Sequence, residues 1–250
     1  MFIPIGDDNR DRQRTPWVNY LLILANILVF IVLQRWGNDI AFTLGYATVP
    51  AEIISGHDII TQSQFITDPI SGQVFESPGL QPTGIPVYLT LISAMFMHGN
   101  LVHLLGNMLY LWIFGDNLED AMGHGRYLLF YLVCGVLASL THVFSTVFMG
   151  QNDLLPSLGA SGAIAGVLGG YIVLFPHKRI HIWLFFIFTI RVPAFIAVGV
   201  WFLFQILNGT SGETGGIAYA AHIGGFIAGL LLVRAFSEKA KREDKELRSF

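Results

Sequence analysis

The sequence predicts an all-α membrane protein: six transmembrane helices with both termini in the cytoplasm. Three observations carry this expectation. Hydrophobic residues make up 53% of the 250-residue chain and charged residues 12%, about half the ~25% usual for a soluble domain. Uncharged apolar runs recur at spanning length. The basic residues cluster in alternate connections. This composition excludes a disordered chain and disfavours a soluble enzyme. The formal charge of −3 leaves no basic footprint for nucleic acid, and the lone Cys134 allows no internal disulfide framework or cysteine-based zinc cluster.

The elements follow in chain order. Met1–Pro16 is a polar tail of mixed charge, read as cytoplasmic. Trp17–Gln34 is the first span, a signal anchor, because the polar N-terminus and the lack of an A-x-A site argue against a cleaved signal. Residues 37–97 hold no Lys or Arg but many turn residues, and read as a long, partly folded extracytoplasmic loop. Leu101–Gly115 is the second span, Tyr127–Phe148 the third and Gly159–Phe175 the fourth. Pro193–Leu207 is the fifth, following a stretch interrupted by Arg191, and Gly216–Val233 is the sixth. Most approach the ~17–25 residues that a spanning helix needs. Residues 17–236 thus form the six-helix domain, and 237–250 a charged cytoplasmic tail. With six spans, Arg10, Arg12, Arg14, Arg126, Lys178, Arg179, Arg191, Arg234 and the basic residues of the C-terminal tail all fall on one side. The positive-inside rule makes that side the cytoplasm. Short tails suggest a multi-pass protein of a bacterial plasma membrane.

Polar groups at bilayer depth are costly and usually mark function. Four stand out: His103, Asn107, Ser161 and His222. Spans two, four and six run in the same direction, and each group lies in the outer half of its span. From Ser161 to Phe175 is about 22 Å of helix, against a hydrocarbon core of ~30 Å, so the four can share one depth. Gly162, Gly166 and Gly170 recur at every fourth position, as do Ala221, Gly225 and Gly229. Such small faces let helix backbones approach closely, which a short Ser side chain needs to reach an imidazole. Ser161 then reads as a nucleophile and His222 as its base. His103 and Asn107, four apart, share one helical face and offer two donors for an oxyanion. Because the outer halves hold no Asp or Glu to orient His222, a dyad is expected in place of a triad. Each feature has a structural alternative. The glycines can serve packing alone, and Asn107 can tie helices together. His98, His103 and His222 can bind a metal, and His142 is assigned to structure.

Gly159-Ala160-Ser161-Gly162-Ala163, Ala221-His222-x2-Gly225-x3-Gly229 and His98-x4-His103-x3-Asn107 resemble the rhomboid family of intramembrane serine proteases. The resemblance implies a six-transmembrane-helix rhomboid-like bundle whose site opens outward into a water-filled cavity. By motif position it makes Ser161 the nucleophile, His222 the base, and His103 and Asn107 oxyanion-stabilising residues. Glu119 matches a structural acidic position. The implied substrates are other membrane proteins within the lipid bilayer, cut near the outer boundary, with no cofactor or metal. Two departures stand out. Leu89 and Thr90 replace a Trp-Arg pair in the first loop, and Ala165 replaces a Tyr packed on the imidazole, so His222 must be positioned from elsewhere. Trp201, Phe202 and Phe204 are candidate gate residues, or simply packing aromatics. Competing readings are a non-catalytic relative that binds membrane proteins and a small transporter.

Overall fold

The computed structural model describes residues 2–67, 72–184, 187–210 and 218–237. The charged tail expected over 237–250 lies outside them after its first residue. The chain begins with strand β1 (Phe2–Asp7) and helix α1 (Trp17–Leu28), whose last turn widens into a π-helix over Val29–Leu33. Short helices α2 (Ile40–Tyr46) and α3 (Pro50–Ser55) follow, then the hairpin β2 (Gln64–Thr67) and β3 (Val74–Ser77), and the single turn α4 (Thr90–Ser93). The bundle continues with α5 (Leu101–Met122), α6 (His124–Phe148) and α7 (Ser161–Leu174). Strands β4 (Arg179–Leu184) and β5 (Phe188–Pro193) precede α8 (Ala194–Thr210) and α9 (Tyr219–Phe236).

Among the described residues, α6 and α9 are each long and apolar enough to cross a membrane. The segment Val87–Phe96 together with α5 makes a third candidate, bent by 81°. Trp17–Leu33, α7 and Ala194–Gly209 are apolar but shorter. α7, with 14 residues, is about 21 Å long, less than the ~30 Å hydrocarbon core. It is nevertheless buried from Gly162 to Tyr171 without a break. A helix that is apolar all round belongs inside a bundle, and α7 is its central post.

Glycine sets how closely that post is approached. A Cβ added at Gly225 would lie under 3.0 Å from the carbonyl oxygen of Gly162, and one at Gly229 equally close to that of Gly166. From the α7 side, a Cβ at Gly169 would meet the Phe226 carbonyl oxygen. On the facing side of α7, Gly166 receives Cys134 of α6. α7 and α9 therefore touch backbone to backbone, as small-residue faces allow.

The expectation of an all-α chain needs correction. β1, β4 and β5 form a three-stranded antiparallel sheet in the order β1-β4-β5, with Phe2 opposite Leu184 and Asp7 opposite Ile180. The N-terminal tail is thus partly a strand. Its pairing partner is far away in sequence, and its register slips between Pro4 and Gly6, so no simple alternation announces it. Below the sheet, Asp7 accepts hydrogen bonds from Tyr171 Oη and from Asn117 Nδ2 at 2.7 Å. Asn117 Oδ1 accepts from Lys178, and Arg12 pairs with Asp116 at 2.6 Å. Glu119 is buried at the foot of α1, where its carboxylate accepts from the backbone N–H groups of Val18 at 2.9 Å and Asn19 at 2.7 Å. Those amides belong to a first helical turn and lack intrahelical acceptors. Glu119 also pairs with His124, so one side chain ties α1, α5 and α6.

The long loop packs on the bundle and holds a small buried cluster of Ala47, Ala94 and Met97. Ile53 and Leu91 pack with Val143 of α6. Thr48 and Ser157 form an isolated bridge. At the position that departs from the Trp-Arg pattern, Thr90 is fully buried. Its hydroxyl donates to the Val87 carbonyl at 2.6 Å, and its own carbonyl accepts from Thr48 Oγ1 at 2.9 Å. Neutral hydrogen bonds hold the chain at Thr90.

Candidate active site

Ser161 is the first residue of α7, and His222 lies in the first turn of α9. Gly159 turns the chain into α7 with φ of +126°, a conformation that favours glycine. Its N–H donates to the Ala94 carbonyl at 2.9 Å, which pins the turn to the end of the loop. With α7 and α9 in backbone contact one turn further on, His222 Nε2 and Ser161 Oγ stand 2.8 Å apart. That is within the range for a nucleophile bonded to its base.

The other ring nitrogen is also engaged. His222 Nδ1 lies 2.7 Å from Gln205 Oε1, on α8. The Gln205 amide nitrogen faces the Trp201 carbonyl at 3.4 Å. Trp201 and Tyr219 flank the imidazole, with ring centroids 6.1 and 6.3 Å away. These contacts hold His222 although residue 165 is Ala. An amide stands where the sequence predicts no acid. Gln205, a polar residue in an apolar helix, was the available signal. Of the aromatic residues proposed as a gate, Phe202 stacks on Phe226 of α9 at 4.0 Å between centroids, whereas Phe204 is exposed.

His103 and Asn107 rise from the first two turns of α5. The Asn100 side chain accepts from the His103 N–H at 2.8 Å and so starts the helix. A Cβ placed on Gly159 would lie 3.0 Å from His103 Nε2 and 3.7 Å from Ser161 Oγ. The missing side chain therefore leaves room between the imidazole of His103 and the Ser161 hydroxyl. Asn107 has a partner that the sequence did not reveal: its Nδ2 lies 2.8 Å from His98 Nε2. One of its two N–H groups is spent there, and the other is left for a further acceptor. His98 is itself clamped, since Gln34 accepts from its N–H at 2.9 Å and donates to its carbonyl at 3.0 Å. Beside Ser161 is a cavity of about 30 Å³ lined by Met95, Leu158 and several small residues, among them Ser139, Ser157, Gly159 and Ala221. Among the described residues, no three His, Cys, Asp or Glu side chains are grouped to hold a metal ion.

The sequence is similar to known proteins. Residues 86–239 match the Rhomboid domain. Rhomboid protein 1, mitochondrial, of Saccharomyces cerevisiae is 34% identical over 61% of this chain and 43% of its own. Rhomboid protease GluP of Bacillus subtilis is 36% identical over 57% of this chain and 25% of its own. RHOMBOID-like protein 6, mitochondrial, of Arabidopsis thaliana is 28% identical over 89% and 69%. The chain spans less than half the length of the yeast and Bacillus relatives. Two of the three carry a mitochondrial name, so the likeness supports an integral membrane protein without singling out the bacterial plasma membrane that the short tails suggested. The domain match takes in α5 to α9 and covers more than half of the sequence, and on that ground the chain belongs to the rhomboid family.

Proposed function

We propose that this chain is an intramembrane serine endopeptidase, cutting transmembrane segments of other membrane proteins near the outer boundary of the bilayer. The observation that carries the proposal is the 2.8 Å contact of Ser161 Oγ with His222 Nε2, at the head of two helices locked together by glycine. Ser161 attacks the scissile carbonyl while His222 takes its proton, then returns that proton to the leaving amine. Water hydrolyses the acyl-enzyme by the same route in reverse.

Negative charge gathers on the carbonyl oxygen as Ser161 adds. His103, the free N–H of Asn107 and the backbone N–H of Ser161 are the donors assigned to it. The last belongs to the first turn of α7, where amides are unpaired and the helix dipole favours an anion. Such donors contribute roughly 2.7–4 kcal/mol each in a soluble serine protease. A spanning helix keeps its amides bonded internally, so the favoured substrate is one that unwinds locally.

The same reading takes Trp17–Leu33, α5, α6, α7, α8 and α9 as six crossings, with both termini in the cytoplasm. Residues 37–97 then lie outside. The sheet of β1, β4 and β5 and the Glu119 cluster then lie on the cytoplasmic side. The test is cleavage of a single-pass model substrate by the purified chain in liposomes. Ser161→Ala is expected to abolish it. Equal cleavage by both proteins would overturn the assignment.

A further inference from the structure

The partners of His222 leave one question for its chemistry. A base that accepts the serine proton at Nε2 must carry its own proton on Nδ1, and which nitrogen is protonated is set by the bond the other makes. An amide oxygen can only accept. Gln205 Oε1, 2.7 Å from His222 Nδ1, therefore requires the proton to be on Nδ1. The reverse orientation of the amide would put N–H groups against Nδ1 and draw the proton to Nε2, where it would block the serine. The backbone opposes that reversal. The Trp201 carbonyl, one turn back on α8, is itself an acceptor and faces the amide nitrogen at 3.4 Å. Turning the amide would set oxygen against oxygen.

We propose that Gln205 is a positioning residue, which holds His222 in the tautomer that leaves Nε2 free to accept the Ser161 proton. This rests on the proteolytic reading of Ser161 and His222 and deepens it. Ser161, His222 and Gln205 then form a triad whose third member is neutral, spread over three helices, α7, α9 and α8. An amide suits this depth, because a carboxylate buried in an apolar bundle would have to be desolvated. It aligns the imidazole as an acid would, without supplying a counter-charge to the imidazolium.

The experiment compares the intact chain with Gln205→Leu and Gln205→Glu, each purified whole and reconstituted in liposomes with a single-pass substrate. Leu keeps the bulk and removes the acceptor. It is expected to lower kcat about 10–100-fold while KM stays within about twofold, the pattern of an interaction realised in the transition state. Glu restores an oxygen acceptor at the cost of desolvating its carboxylate, which the imidazolium formed at His222 partly offsets, and is expected to recover part of that loss. An unchanged kcat in Gln205→Leu would overturn the proposal, as would equal losses in both variants, which would point to packing. A second readout needs no turnover. The ¹⁵N shifts of His222, assigned by their disappearance in His222→Ala, are expected to report the Nδ1–H form in the intact chain and a shift towards Nε2–H in Gln205→Leu. A predominant Nε2–H form in the intact chain, or no change on substitution, would overturn it independently. An intact chain no more active than Ser161→Ala would instead count against the proteolytic reading, with the nitrogen shifts still deciding the role of Gln205.

Discussion

At the level of single side chains, the arrangement is economical. Ser161 needs no long reach because its helix starts beside that of His222, and His222 is bonded at both ring nitrogens. Removing the imidazole with His222→Ala takes away the proposed base. Turnover of a membrane substrate is expected to fall by ~10²–10⁴-fold with the thermal unfolding profile retained, and unchanged turnover would remove His222 from the mechanism. Asn107 is a more delicate case. It donates one N–H to His98, so Asn107→Ala both removes a proposed oxyanion donor and leaves the buried Nε2 of His98 without its partner. The expected signature is a drop of roughly 10²-fold in kcat with little change in KM. Should KM alone change, Asn107 would be a substrate contact and not an oxyanion donor.

Among the elements, α7 and α9 carry the site through their glycines. A methyl group at Gly225 would meet the Gly162 carbonyl oxygen, and backbone cannot step aside as a flexible side chain can. Gly225→Ala is expected to destabilise the fold by about 1–3 kcal/mol, the usual cost of overpacking. Because it forces the two helices apart one turn below the dyad, cleavage should be lost as well. Gly199 on α8 has nothing within 4 Å of an added Cβ. Gly199→Ala should be neutral or slightly stabilising, since Gly in a helix costs roughly 0.5–1 kcal/mol relative to Ala. Melting curves of the two variants side by side test the contrast. Comparable shifts would mean that close approach of α7 and α9 is not what the glycines provide.

Across the whole molecule, the N-terminal strand joins distant parts of the chain. β1 pairs with β4, and Asp7 at its end reaches Tyr171 of α7 and Asn117 of α5. Burial pushes the Asp7 carboxyl up to about 6, with Asp116 and Asp8 adding to the rise and the Tyr171 hydrogen bond and Lys178 opposing it. Asp7 Oδ1 is buried without a partner among the described residues. An undocked carboxyl titrates near 3.8. Between those two values the docked strand holds a proton that the undocked one has released, so docking strengthens as pH falls through about 6 and weakens as pH rises through it. Hydrogen exchange of the β1 amides is therefore expected to be slower at pH ~5 than at pH ~7 after correction for the intrinsic rate. Asp7→Asn should remove the difference. A pH effect that survives that substitution would have to come from another group.

Much of this protein is legible one residue at a time. Apolar runs of spanning length, polar groups inside them and glycines at every fourth position are local patterns imposed by the lipid and by helix geometry, so the long helices and the candidates Ser161, His222, His103 and Asn107 can be read directly. Other features belong to pairs of segments far apart in the chain. The strand pairing of β1 with β4, the reach of Gln205 from α8 to His222, and the tie between Asn107 and His98 each depend on which faces meet after folding. A helix announces itself through bonds to its own neighbours four residues away. A strand ladder or a cross-helix hydrogen bond has its partner elsewhere, and packing in three dimensions supplies it.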